Sequence, residues 1–143
     1  MRPTRDQVFL EMAIVLSQRS TCARRAVGAI LINGKGHIIG SGYNGVPTEW
    51  AHCIETACPG ASLESGQGLE YCEAIHAEQN AIARCGNVDD VETLYVTTAP
   101  CVSCVKLLLN TGCQRIVYKD GYPTSGLKMW RECGRADERH EIL

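Results

Sequence analysis

The sequence predicts an α/β fold in which helices pack on a sheet. Three observations carry this reading. Strand-like and helix-like segments alternate along the chain. A length of 143 residues with 45% apolar content suits one core rather than two. Two clusters of metal-ligand residue types also each fall where a helix begins.

Thr4-Arg5-Asp6-Gln7 resembles a capping box, and Val8, Phe9, Met12, Ala13, Val15 and Leu16 supply an apolar helical face behind it. Val27–Ile32 and His37–Gly40 flank Asn33-Gly34, which predicts a hairpin closed by a type I′ turn. From Gly42 to about Leu69 the chain is irregular and rich in Gly, Pro and Cys, uncommon in a compact domain unless functional or stapled. Helical density returns from Glu78 to Arg84 and stops at Cys85-Gly86. Thr93–Thr98 is β-branched and aromatic and ends before Pro100; Val105, Leu107, Leu108 and Leu109 then form a helix that stops at Gly112. Arg115–Tyr118 is a strand, Ser125 to about Cys133 a helix, and a charged tail follows. No internal repeat or low-complexity block is present.

The formal net charge is −2, so no global basic field draws in nucleic acid. No apolar run is long enough for a membrane span and no signal-peptide pattern opens the chain, which predicts a soluble protein of the cytoplasm, a host's cytoplasm for a viral chain. Nine cysteines are an odd number, and two sit at metal spacing, so reduced thiols are expected rather than a disulfide framework.

His76-Ala77-Glu78 and Pro100-Cys101-Val102-Ser103-Cys104 carry the chemistry. Alone, the histidine would read as a surface or core residue, and the cysteine pair as a redox motif or half a zinc ribbon. Together they form the H-x-E and P-C-x-x-C signature of zinc deaminases that act on cytosine or adenine. His76, Cys101 and Cys104 supply one imidazole and two thiolates, which leaves a tetrahedral zinc one open position, while Glu78 remains free to carry protons. Cys101 and Cys104, three apart in the first turn of a helix, share a face where the helix dipole favours thiolates. A purely structural zinc module is the rival from another class, but it has no use for an unliganded carboxylate beside an open position.

Cys22, Cys53, Cys58 and Cys72 lie outside this motif and could close a second, structural zinc site that pins the irregular stretch. They could equally be ordinary buried thiols, or His52 could replace one as ligand. Cys85, Cys113 and Cys133 read as core residues.

Several motifs extend the pattern: Arg19-Ser20-Thr21-Cys22, Val27-Gly28-Ala29, Gly42-Tyr43-Asn44-Gly45, Ile75–Ala81, the Pro100–Cys104 run and Tyr118–Tyr122. Across roughly Val8 to Tyr122 the chain resembles the deoxycytidylate (dCMP) deaminase family of the cytidine deaminase superfamily. The resemblance implies one deaminase domain over residues 1–143, a cysteine-containing insertion at about 43–72, and a three-layer α/β/α fold around a mixed five-stranded sheet. It implies a homohexamer and hydrolysis of dCMP to dUMP and ammonia for thymidylate synthesis. It gives Glu78 the proton transfers, and Ala77 and Pro100 the pyrimidine edge. Asn44 would contact the substrate and Tyr122 its phosphate. Activation by dCTP with Mg2+ and inhibition by dTTP are also implied, with Gly42, Tyr43, Asn44 and Gly45 near that effector site. For the phosphate, Arg24 is slightly preferred to Arg25, against a solvated surface pair. dCTP stays open as a second substrate. A tRNA adenosine or nucleobase deaminase would use the same four residues, but the chain lacks an obvious basic surface for tRNA.

Overall fold

Continuous apolar runs along three adjacent strands decide the architecture. In a computed structural model, which describes residues 1–21, 25–45 and 75–142, β1 (Gly28–Asn33) sends Ala29 and Leu31 to one side of the sheet and Ile30 and Ile32 to the other. β3 (Val91–Thr98) and β4 (Arg115–Asp120) divide likewise, with Leu94, Val96, Ile116 and Tyr118 on one side and Tyr95 and Val117 on the other. A strand apolar on both faces must be covered on both. α1 (Arg5–Ser17) covers one face, and α2 (Ala77–Ala83), α3 (Val102–Leu109) and α4 (Leu127–Glu132) cover the other.

Together with β2 (Ile38–Tyr43) and β5 (Ala136–Arg139), the strands form a mixed sheet in the order β2-β1-β3-β4-β5. β1 is antiparallel to both β2 and β3, whereas β3–β4 and β4–β5 are parallel. The expected α/β/α fold with five strands is therefore present. Parallel pairs need crossover helices, and α3 and α4 serve that purpose. Among the described residues no helix is long and apolar enough to cross a membrane.

Four local expectations are corrected. The charged tail after α4 is β5, which pairs in register with β4 from Arg115↔Ala136 to Tyr118↔Arg139. Its side chains are mostly exposed, so no hydrophobic pattern marks it; Arg131 to Asp137 and Arg115 to Glu138 ion pairs hold it instead. The hairpin turn is longer than type I′. Among the described residues only Gly36 (φ 83°) and Gly134 (φ 78°) have positive φ, so Asn33 and Gly34 cannot form the mirror-image turn. Asn33 Oδ1 instead accepts the Lys35 and His37 amides (3.0 and 2.9 Å), and Gly36 supplies the left-handed residue.

α1 has the expected capping box, with Gln7 N–H donating to Thr4 Oγ1 (3.2 Å) and Thr4 N–H to Gln7 Oε1 (2.9 Å). The buried face, however, is Phe9, Leu10, Ala13 and Leu16, and Val8, Met12 and Val15 face outward. The helix is apolar around most of its circumference, so periodicity alone could not choose the side. Of the three cysteines read as core, Cys113 is buried but Cys85 is half-buried and Cys133 is exposed.

Candidate metal centre

α2 and α3 bring their N-termini together on one side of the sheet, and the motif residues sit at those ends. His76 is the N-cap of α2, with its backbone N–H held by Gln79 Oε1 at 2.9 Å. The preceding residue, Ile75, exchanges two backbone hydrogen bonds with Gly45 (3.0 and 2.7 Å), so the histidine enters from a fixed point. Cys101 is the N-cap of α3 and bridges to Ser125, while the Gly126 amide donates to the Pro100 carbonyl at 2.8 Å. The start of α4 therefore braces the start of α3.

His76 Nδ1 lies 3.2 Å from Cys104 Sγ and 3.5 Å from Cys101 Sγ, and the three donor atoms all fall within 4.8 Å of one another. Tetrahedral zinc, with bonds of about 2.3 Å to sulfur and about 2.0–2.1 Å to nitrogen, sets neighbouring N and S ligands about 3.5 Å apart. The geometry and the donor set both fit zinc. Cys101 and Cys104 are buried and His76 is half-buried, which suits a site that shields its metal while leaving one side approachable.

The electrostatics favour the same use. The hydrogen bond from Cys104 is the main cause that lowers the Cys101 thiol to about 4, helped by His76 and opposed by burial. Cys104 is driven up by that same contact and by burial; a divalent cation held by both sulfurs would favour their thiolate forms. His76 is raised, mainly by its hydrogen bond to Cys101. Glu78, the second residue of α2, is only 4% exposed, and burial raises its carboxyl above the ordinary range. It raises the Cys104 thiol, so it borders the donor cluster of His76, Cys101 and Cys104 without belonging to it. A buried carboxyl with a raised pKa is suited to moving protons near neutrality.

The remaining expected residues fall into three groups. Ala77 opens α2, where its N–H has no acceptor within the helix, and Pro100 is buried directly before Cys101. Gly42, Tyr43, Asn44 and Gly45 gather beside α2: a Cβ on Gly42 would lie 2.7 Å from the Ala77 carbonyl oxygen, and Asn80 Nδ2 donates to the Tyr43 carbonyl at 2.8 Å. Asn44 is buried, and its amide is engaged by Val27 and Arg25. Arg24 and the proposed second-site ligands Cys22, Cys53, Cys58 and Cys72, with His52, lie outside the described residues, as does most of the expected insertion.

Sequence reasoning ranked Arg25 second. In the fold its guanidinium lies over the Tyr122 ring, 4.2 Å from the centroid, and its charge is felt at both His76 and Glu78. Tyr122 is 8% exposed, and its hydroxyl has no hydrogen-bond partner among the described residues. A buried hydroxyl without a partner calls for one. The one local signal for Arg25 was its place two residues before the Val27 strand.

A mixed sheet that presents an imidazole, two thiols and a buried carboxyl from two helix N-termini defines a hydrolytic zinc centre of the deaminase type. The family described as "Cytidine and deoxycytidylate deaminase zinc-binding region" matches residues 3–120, and the chain belongs to it. A deoxycytidylate deaminase of Mycobacterium phage D29 is 40% identical over 124 residues, covering 82% of this chain and 95% of the phage protein. A deoxycytidylate deaminase of Saccharomyces cerevisiae is 34% identical over 124 residues, covering 85% of this chain but 39% of the yeast protein; the chain thus spans about two fifths of that relative. A dCMP deaminase of the cyanophage S-TIM5, solved in complex with dCMP and dUMP, superposes with a TM-score of 0.78 at 28% identity, covering 98% of this chain and 99% of that one.

Proposed function

We propose that the protein deaminates dCMP hydrolytically to dUMP and ammonia and so feeds thymidylate synthesis. The observation that carries the reading is the cluster of His76 Nδ1, Cys101 Sγ and Cys104 Sγ within 4.8 Å beside the buried Glu78. The D29 and S-TIM5 relatives support the choice of nucleotide.

When bound by these three residues, zinc supplies the Lewis acidity that makes water a nucleophile near neutral pH. Glu78 takes a proton from the attacking water and gives it to ring N3. After attack at C4 it carries the remaining hydroxyl proton to the exocyclic amine, which departs as ammonia. The Ala77 N–H and the Pro100 carbonyl orient the pyrimidine edge; that carbonyl keeps a second lone pair after accepting from Gly126. Arg25 and the Tyr122 hydroxyl take the phosphate; the resemblance assigns the turn from Gly42 to Gly45 to the effector. Arg24 is a second candidate for the same phosphate.

The same reading includes a single deaminase domain, a homohexamer in the cytoplasm, and control by dCTP with Mg2+ and by dTTP. It also includes a structural zinc on Cys22, Cys53, Cys58 and Cys72. Zinc analysis tests the second zinc, dCMP turnover with and without dCTP, Mg2+ and dTTP tests the control, and sedimentation tests the homohexamer. The substrate is decided by following ammonia release from dCMP, dCTP, deoxycytidine, cytidine and tRNA. A zinc-loaded protein that ignores dCMP while it deaminates one of the others would sink the assignment.

A further inference from the structure

Asn44 stands in the turn where a substrate contact is expected, yet both heavy atoms of its side-chain amide are already committed within the chain. Its Oδ1 accepts the Val27 amide at 2.9 Å and its Nδ2 donates to the Arg25 carbonyl at 2.6 Å. The partners fix the amide's orientation, because a carbonyl can only accept and an N–H can only donate. One planar group thus grips the two peptide groups that flank Ala26.

The grip is reinforced on every side. The Asn44 backbone N–H donates to the Val27 carbonyl (3.2 Å), and its carbonyl accepts the Thr21 amide (3.2 Å). The Ser20 hydroxyl reaches the Arg25 carbonyl as well, at 3.3 Å. Asn44 is 6% exposed, so its bond to the Val27 amide is shielded from water, while the two bonds to the Arg25 carbonyl are part-buried. From the backbone they fix, the Arg25 side chain runs to the Tyr122 ring, 4.2 Å from its centroid.

We propose that Asn44 is a positioning residue for Arg25: it sets the guanidinium over Tyr122, and thereby the discrimination between nucleotide and nucleoside, without itself reading the phosphate. The inference rests on the proposed dCMP reaction for its kinetic test and on the Arg25–Tyr122 stack alone for its spectroscopic one.

The variants are Asn44→Ser, Asn44→Asp, Arg25→Ala and the double variant Arg25→Ala/Asn44→Ser, each with zinc content and thermal unfolding measured. Asn44→Asp keeps an acceptor for Val27 but sets an oxygen against the Arg25 carbonyl. The kinetic readout is kcat/KM for dCMP divided by kcat/KM for deoxycytidine. Loss of one charged hydrogen bond predicts that Arg25→Ala lowers this ratio by about tenfold to a hundredfold. Asn44→Ser lowers it in the same direction through KM for dCMP and adds nothing in the Arg25→Ala background. Equal losses on both substrates, or a double variant whose loss is the product of the single ones, would overturn the proposal. The second readout needs no substrate: the Arg25 Nε–Hε resonance of 15N-arginine-labelled protein, shifted upfield by the Tyr122 ring, returns towards the free-arginine position in Asn44→Asp. A resonance that stays shifted there would also overturn it. Failure of the wild type on dCMP removes the proposed reaction and leaves the resonance to decide the role of Asn44. A Ser variant that does not fold leaves the Asp variant to be read in both ways.

Discussion

The two faces of the sheet are built from similar apolar strands but spend their polar groups differently. On the side of α2 and α3, Glu78, Cys101 and Cys104 are buried, and burial together with mutual hydrogen bonding moves their pKa values well away from ordinary ones. On the α1 side, Leu10, Ala13, Ile30, Ile32, Tyr95 and Val117 form a plain hydrophobic core. Its charges stay near the rim: Asp6 accepts from Arg115 (2.6 and 2.9 Å) and from the Tyr95 hydroxyl (2.5 Å), and Arg115 Nε donates to Glu138 (2.6 Å). An apolar cavity of about 430 Å³ lies beside α1, against Ile30 and Ile38. One face therefore holds buried ionisable groups and the other a plain apolar core with its ion pairs at the rim. Burying an ionisable group is costly, and among the described residues the buried carboxyl, Glu78, stands beside the metal-ligand cluster.

Breaking each face should give different signatures. The largest effect is expected from Glu78→Gln, which should lower turnover by at least about 10²–10⁴-fold with zinc content unchanged. Zinc analysis beside initial rates checks this, and near-normal rates would exclude Glu78 as the proton carrier. His76→Ala should instead lose the zinc together with the activity, because two thiolates cannot close the site.

Two glycine substitutions then set the faces directly against each other. A Cβ on Gly28 would stand 1.9 Å from the Ala13 carbonyl oxygen of α1, and one on Gly42 would stand 2.7 Å from the Ala77 carbonyl oxygen and the Ala81 amide of α2. Both overpack backbone and should destabilise the fold by about 1–3 kcal/mol or more, Gly28→Ala the more severely. Chemical denaturation with active-site titration by zinc separates them: Gly42→Ala should lower kcat per folded molecule by shifting α2, and Gly28→Ala should not. Equal kcat losses would show that the faces are mechanically coupled.

One part of the acid limb of stability belongs to the α1 face. The Arg115 guanidinium is the main cause that holds Asp6 down to about 2 from 3.8. A depressed carboxyl contributes stability above its unfolded pKa and loses it as pH falls through the folded one, so this part disappears between 3.8 and about 2. Asp6→Asn should flatten the unfolding midpoint over that interval while leaving neutral-pH turnover intact. Smallest of all, Val15→Lys on the 62% exposed side of α1 should move stability by no more than about 0.5 kcal/mol.

Much of this was legible along the chain because the decisive patterns are local. The Thr4–Gln7 capping box, the β-branched and apolar runs of β1 and β3, and Pro100 before α3 need only near neighbours to be read. The hidden features are those settled by distant partners. β5 is a strand because β4 offers an edge and Arg115 offers a charge 23 residues away from Glu138. The outward face of α1 is as apolar as the inward one, so only the sheet chooses between them. Asn33 could have closed a two-residue turn had its own side chain not captured the Lys35 and His37 amides.

The sequence by itself determined the kind of chemistry. The His-x-Glu and Cys-x-x-Cys spacings fix their side chains relative to a single helix end, and a helix end has one geometry wherever it is placed. Tertiary structure decided what those ends face and who attends them: α2 against α3, Glu78 sealed from water, and Arg25 over Tyr122 under the hold of Asn44. The reason is range. Backbone spacing sets contacts within a turn or two, but a guanidinium finds its ring only after the sheet has brought together Arg25 and Tyr122, about two thirds of the chain apart in sequence.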